Sequence, residues 1–153
     1  TEIGLLQNLR RIDMSSNKLN GTIPDIGQWG DNMKHILFDN NYLTGSIPSS
    51  IGRVSTLKWL SFSNNTITGS IPSEIGNMTR LITLVIADND ISGSIPSEIG
   101  SATSLKSLRI GGNDISGTIP SEIGELSLMS YMDLGDNDLS GTIPSELGQL
   151  KAL

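Results

Sequence analysis

The sequence predicts an α/β solenoid in which one unit of 24 residues repeats along the chain, each copy adding a strand to a parallel sheet and a short 3-10 or helical turn outside it. Three observations predict it. Polar and backbone-shaping residues recur in fixed columns: asparagine at Asn17, Asn41, Asn65, Asn89, Asn113 and Asn137, and glycine at Gly21, Gly45, Gly69, Gly93, Gly117 and Gly141. Every proline falls in a third column, Pro24, Pro48, Pro72, Pro96, Pro120 and Pro144. Apolar rows keep the same step: Leu9 continues as Met33, Leu57, Leu81, Leu105 and Met129, and Ile12 as Ile36, Leu60, Leu84, Leu108 and Met132. Members of a row stay apolar and close in volume, as a stacked core requires. Finally, only six residues are aromatic, thin for a compact core but sufficient for one built of aliphatic rows.

The frame divides the 153 residues into a single solenoid of six full repeats, 1–24, 25–48, 49–72, 73–96, 97–120 and 121–144, with a partial seventh at 145–153. Repeat one supplies core positions Ile3, Leu6, Leu9, Ile12, Met14, Leu19 and Ile23, with the strand expected over residues 11–15. The row of Met14 runs on through Phe38, Phe62, Ile86, Ile110 and Leu134. Repeat two slips: Ile26 arrives one residue early, and Gly30 stands where other repeats have Leu6, Val54, Met78, Ala102 and Leu126. A bulged outer turn follows, with Trp29 filling the space that Gly30 leaves. In each repeat the step G-S/T-I-P lets glycine adopt an unusual backbone angle, and Pro followed by Ser starts the outer turn, which a second glycine closes as a cap. Leu147, Leu150 and Leu153 match Ile123, Leu126 and Met129, so the seventh strand is due where the residues stop. Solenoid ends need polar caps and neither end shows one, which predicts a fragment or ends covered by something else.

The asparagine column has a physical cause. Where the chain bends away from the strand its backbone polar groups face inward without sheet partners, and an Asn side chain supplies both donors and an acceptor. Five steps of ~4.8 Å place Asn17 about 24 Å from Asn137. These residues are read as structural.

The repeated pattern L-x-x-L-x-L-x-x-N-x-L, with L-x-G-x-I-P-x-x-L-G-x-L-x-x-L, resembles the plant-type leucine-rich repeat of receptor-like kinases, receptor-like proteins and polygalacturonase-inhibiting proteins, also found in algal surface proteins. The resemblance covers essentially the whole chain. It implies a right-handed superhelix with a concave parallel sheet, an extra short strand at the G-S/T-I-P step, and an extracellular ligand-binding or protein-binding role. The paired cysteines that flank such arrays in the family are absent from this chain, which has no cysteine at all.

Ten basic against sixteen acidic residues give a net charge of -6, which argues against nucleic acid as the partner. The charge is uneven: residues 1–80 hold seven Lys/Arg and six Asp/Glu, residues 81–153 three and ten. No apolar run is long enough for membrane insertion. No cofactor motif is present.

Residues between the core positions of a strand face the concave side. They form two columns: Arg11, His35, Trp59, Thr83, Ser107, Tyr131, and Asp13, Leu37, Ser61, Val85, Arg109, Asp133. Outer positions hold nearly constant residues, whereas these change in charge, size and aromaticity, the composition of a recognition surface. The candidate binding residues are Arg11, His35, Leu37, Trp59, Val85, Arg109, Tyr131 and Asp133, with His35, Leu37, Trp59 and Val85 as a partly apolar patch. The alternative is that exposed strand positions tolerate any residue.

Other features carry less. Asp88, Asp90, Asp114, Asp136 and Asp138 stack beside Gly111, Gly112 and Gly135, but without calcium-loop spacing they read as a solvated acidic edge and no metal site is assigned. With one histidine, His35, no cysteine and an open sheet, no Ser-His-Asp arrangement is expected and the chain is read as non-catalytic. Sequons occur at Asn20, Asn64 and Asn77, about as many as chance allows. The function expected is extracellular recognition of a protein, peptide or cell-wall glycan through the concave face. The rival is an assembly scaffold with end-to-end or outer-surface contacts, and a distant third is lattice or ice binding through the column Thr22, Ser46, Ser70, Ser94, Thr118 and Thr142.

Overall fold

A computed structural model of the chain describes residues 8–29 and 31–153. The expected positions Ile3, Leu6 and Gly30 lie outside them. Eleven short strands occur among the described residues. They are β1 Arg11–Asp13, β2 Asn20–Thr22, β3 His35–Leu37, β4 Tyr42–Thr44, β5 Trp59–Ser61 and β6 Thr83–Val85. The rest are β7 Ser92–Gly93, β8 Ser107–Arg109, β9 Asp114–Gly117, β10 Tyr131–Asp133 and β11 Asp138–Leu139.

Six strands form one parallel sheet in the order β1-β3-β5-β6-β8-β10. Its register is 24 throughout: Arg11 pairs His35, His35 pairs Trp59, Trp59 pairs Thr83, Thr83 pairs Ser107 and Ser107 pairs Tyr131. Each strand is only three residues long, because Ile12 and its row point into the core while the next inward residue already belongs to the bend. The first strand therefore ends at Asp13, two residues short of the expected end.

The remaining strands form smaller parallel sheets, β2-β4 and β11-β9-β7, with an isolated bridge from Ser46 to Thr68. They lie at and just before the G-S/T-I-P step. Their register is 22, since Asn20 pairs Tyr42, Ser92 pairs Asp114 and Ser116 pairs Asp138. Against a 24-residue period, that offset shears neighbouring chains by two residues, roughly 6.6 Å, on this side only. Shear on one flank and none on the other turns each repeat relative to the last.

Outside, every described turn is a 3-10 helix, such as Ser49–Arg53, Ser73–Asn77, Ser97–Ser101, Ser121–Glu125 and Ser145–Gln149. The proline ahead of each supplies an extended φ near −68°, and serine makes no capping bond; Ser97 Oγ instead lies against the carboxylate of Glu98. The glycine inside each turn is not the cap. Hydrophobic residues take that position, Ala102 and Leu126 among them. Glycine is required because the turns stack so closely that a Cβ on Gly100 would sit 2.5 Å from the carbonyl oxygen of Glu122, and one on Gly52 2.6 Å from that of Glu74.

Repeat two has a three-residue turn, Ile26–Gln28, capped by the Asp25 carboxylate. Trp29 follows it, 1% exposed, its ring edge-on to Phe38 at 6.2 Å. The indole therefore fills core volume.

The apolar rows run through the middle of the stack, with Ile36, Leu60, Phe62, Leu81, Ile86, Leu108 and Ile110 fully buried. The ends differ. Met14 and Leu19, expected in the core, are 36% and 39% exposed, and Met132, Leu134 and Leu139 are only partly covered. A row position is buried by its neighbours on both sides, and the outermost positions have one.

The asparagine column stitches the bends together. Asn89 Nδ2 shares its protons among the carbonyls of Ile86 and Ala87 in its own bend and Phe62 in the preceding one, while Oδ1 accepts from Ile67 N–H at 3.0 Å. Asn41, Asn65, Asn113 and Asn137 repeat the scheme. Among the described residues the Asn17 side chain bonds only the carbonyls of Met14 and Ser15 in its own bend.

Candidate functional site

The 24-residue register places the two outward columns side by side across six strands, in the order read from the sequence. Their exposure is graded. Trp59 and Tyr131 stand out at 41% and 50%, Arg11 and Arg109 are exposed, and His35, Leu37, Val85 and Asp133 are half-buried. Ser61 is buried, because its hydroxyl donates to Asp39 Oδ1 at 2.5 Å, which also accepts from Ser63 N–H.

A shallow depression of about 280 Å³ opens at the C-terminal ends of the middle strands. Trp59, Val85 and Arg109 line it with Ser61 of the same outward columns, as does a second set not foreseen from the sequence as part of a site: Asp39, Asn40, Ser63, Asn64, Ala87 and Asp88. His35 and Leu37 are not among its walls, so the structure gathers three of the eight candidate residues there and leaves the others along the face. The signal that could have found Asp39 is its place in the small-residue column Ser15, Ser63, Ala87, Gly111 and Gly135, where it alone carries charge.

The flanking groups form local pairs. Arg11 Nη2 donates to Asp13 Oδ2 at 2.8 Å, and this bond, ahead of the one from the Ser15 backbone N–H, holds the Asp13 carboxyl below its usual range. Arg109 lies over the Tyr131 ring, 5.5 Å from its centroid, a cation–π contact. His35 is pushed below 6.5, first by burial and then by the charges of Arg11 and Lys58, so it is neutral at pH 7.

Asp88, Asp90, Asp114, Asp136 and Asp138 are all exposed, and two of them have a backbone cause. Asp88 and Asp136 share a column with Ser16, Asn40, Asn64 and Gly112, every member of which has φ between 50° and 67°. Asp and Asn are the side-chain-bearing residues that enter this left-handed region most readily. Among the described residues no three acidic or histidine side chains converge as a metal site. No helix among them is long and apolar enough to cross a membrane. The sequon residues Asn20, Asn64 and Asn77 are all exposed.

The same architecture recurs in solved structures. The plant peptide hormone receptor RGFR1, solved in complex with RGF2, is 35% identical over 99% of this chain and 24% of that one, with a TM-score of 0.97. A TDR receptor is 36% identical over 98% and 26%, TM-score 0.95. The Arabidopsis receptor kinase HAESA ectodomain, in complex with an N-terminally extended IDA peptide hormone ligand, is 37% identical over 99% and 26%, TM-score 0.92. The chain thus spans about a quarter of the length of these receptors. No curated protein sequence matches it. Family profiles match by sequence: one described as a leucine-rich repeat region over residues 32–153, and one as a leucine-rich repeat over residues 8–28. With the profile, the repeated asparagine bends and the stacked parallel sheet in agreement, the chain belongs to the leucine-rich repeat family.

Proposed function

We propose that the chain is a non-catalytic recognition module that works outside the cell and binds an extended peptide or protein segment across its concave face. One observation carries this reading: on an otherwise repetitive molecule, the outward face of one sheet varies in charge, size and aromaticity, and there Trp59, Val85 and Arg109 surround a depression. Rigid aromatic and arginine anchors at the centre of a surface are the residues that dominate binding energy. The RGFR1 and HAESA structures, similar over nearly the whole chain, are described as complexes with peptide hormones, which favours a peptide over a cell-wall glycan. Arg11, His35, Leu37, Tyr131 and Asp133 extend the proposed contact strip on either side. Exposed Asn20 and Asn77 suit glycosylation in that compartment, whereas a glycan on Asn64 would occupy the depression and block the proposed contact.

Capture from a source extract tests this directly, with the parent chain beside the double variant Trp59→Ala, Arg109→Glu and partners identified by mass spectrometry. Both side chains are exposed and neither fills the core, so circular dichroism and the thermal midpoint should be unchanged. A partner held by the parent and lost by the variant supports the reading. Identical partners on both would move the contact to the ends or outer surface and make the molecule a scaffold.

A further inference from the structure

The N-terminal edge of the six-stranded sheet has a chemistry of its own. The residue just ahead of each strand is Arg10, Lys34, Lys58, Ile82, Lys106 and Ser130 in turn. Where the series lapses at Ile82, Arg80 supplies the charge two residues earlier. Acidic residues outnumber basic ones sixteen to ten over the chain, yet none occupies this column. Lys58, Arg80 and Lys106 are exposed, and the one ion pair among the described residues, Arg11 with Asp13, uses none of them.

These three cations rim a second depression, of about 270 Å³, whose other walls are Ile82, Ser104 and Leu128. Leu128 is 47% exposed, an apolar side chain left in water at the end of the basic cluster, one repeat beyond Lys106, while Ile82 lies between the two lysines. Ser104 does not compete for a ligand, since its hydroxyl donates to the Thr79 carbonyl at 2.6 Å. An apolar floor with a cationic rim suits a partner that brings carboxylates and a hydrocarbon group together. A polyuronate glycan offers only the first.

We infer that the edge formed by Lys58, Arg80, Lys106, Ile82 and Leu128 is a docking strip for an acidic peptide segment with a large apolar side chain between its carboxylates. The strip lies beside the concave columns and shares none of their residues. Lys58 and Lys106 are two strands apart, about 10 Å, and their flexible stems can reach carboxylates at i and i+4 of an extended chain, about 13 Å apart, which share one face with the apolar side chain at i+2. Exposed charge pairs at such a site contribute little each and are screened by salt, so affinity is modest and falls as ionic strength rises.

The test is an NMR titration of the isotopically labelled chain with the peptide acetyl-Glu-Glu-Leu-Glu-Glu-amide. Amide shifts are expected at residues 58, 80–82, 104–106 and 128, with affinity dropping at least threefold from 50 to 500 mM salt. The variant Lys58→Gln, Lys106→Gln should weaken binding tenfold or more with its spectrum otherwise intact, and the peptide with Ala for Leu should bind at least threefold more weakly. The Gln-Gln-Leu-Gln-Gln peptide and hexagalacturonate should leave those amides unmoved. Absence of shifts, shifts confined to other residues, unaltered affinity in the variant, equal binding of the Ala peptide, or equal binding of hexagalacturonate would each overturn the assignment. Trp59→Ala is expected to bind the acidic peptide as the parent does, so loss of this strip and loss of the concave site are separable.

Discussion

The outer turns and the inner strands follow the same 24-residue period and obey opposite rules. In the turns, P-S-E-I-G recurs almost unchanged, and three of its five positions are consumed: proline sets the approach, isoleucine enters the core, and glycine lets one turn lie against the next backbone. In the strands only the middle residue, the row of Ile12, is so consumed, and its neighbours face outward. Identity along the repeat thus records contact with the adjacent repeat, and variation records freedom from it. A repeat array shows both at once because every position is sampled six times under nearly the same constraints.

That contrast can be broken most severely at the turns. Gly100→Ala adds a methyl 2.5 Å from the Glu122 carbonyl, and overpacking against backbone, which cannot swing aside, should cost about 3 kcal/mol. Urea unfolding followed by circular dichroism would read it; a loss below ~1 kcal/mol would mean that the turns separate easily and the outer side is not the rigid one. Next comes the asparagine column, where position along the stack decides the size. Asn89→Ala leaves the Ile67 N–H and several inward carbonyls without partners and should cost roughly 2–3 kcal/mol, whereas Asn17→Ala, which removes bonds only within its own exposed bend, should cost under ~1 kcal/mol. Equal losses at the two sites would show that bonds between repeats add nothing to those within one.

The smallest effect belongs to the strands. Because the folded state holds His35 below 6.5, the unfolded chain takes up a proton first as pH falls. Stability contributed by neutral His35 is therefore fully present above about pH 6.5 and declines as pH drops from there toward the lower folded value. Replacement by Gln should flatten that part of the profile; thermal midpoints between pH 7.5 and 5.5 for parent and His35→Gln would settle it, and superimposable slopes would remove His35 as the cause.

Periodicity made the stack legible without coordinates. The register of all six inner strands, the burial of Trp29 and the inward asparagine bends follow from columns that can be counted. What escaped depends on relations between repeats or on the way a side chain leans. The turn glycine looked like a cap because a cap is a local motif, whereas its cause is a carbonyl in the next repeat, 22 residues on. Met14 and Leu19 carry core residues at core positions, yet burial needs a neighbour on each side. Ser61 sits in an outward column and is buried, because Asp39 from the adjacent strand's bend reaches over it. The left-handed column was hidden by its variety: serine, asparagine, aspartate and glycine look unrelated until their shared φ is seen.

The zero offset of the inner sheet also makes the face a vernier. Across the strands its columns advance about 4.8 Å per step, while an extended peptide laid over them advances about 3.3 Å per residue. Two strands match three residues, at about 10 Å, and three strands, about 14 Å, lie nearest to four residues, about 13 Å. Trp59 and Tyr131 stand in one column, three strands apart. Side chains three apart leave the backbone on opposite faces, whereas those at i and i+4 leave on the same one, so a peptide crossing here would bring the second pair within reach of the two rings.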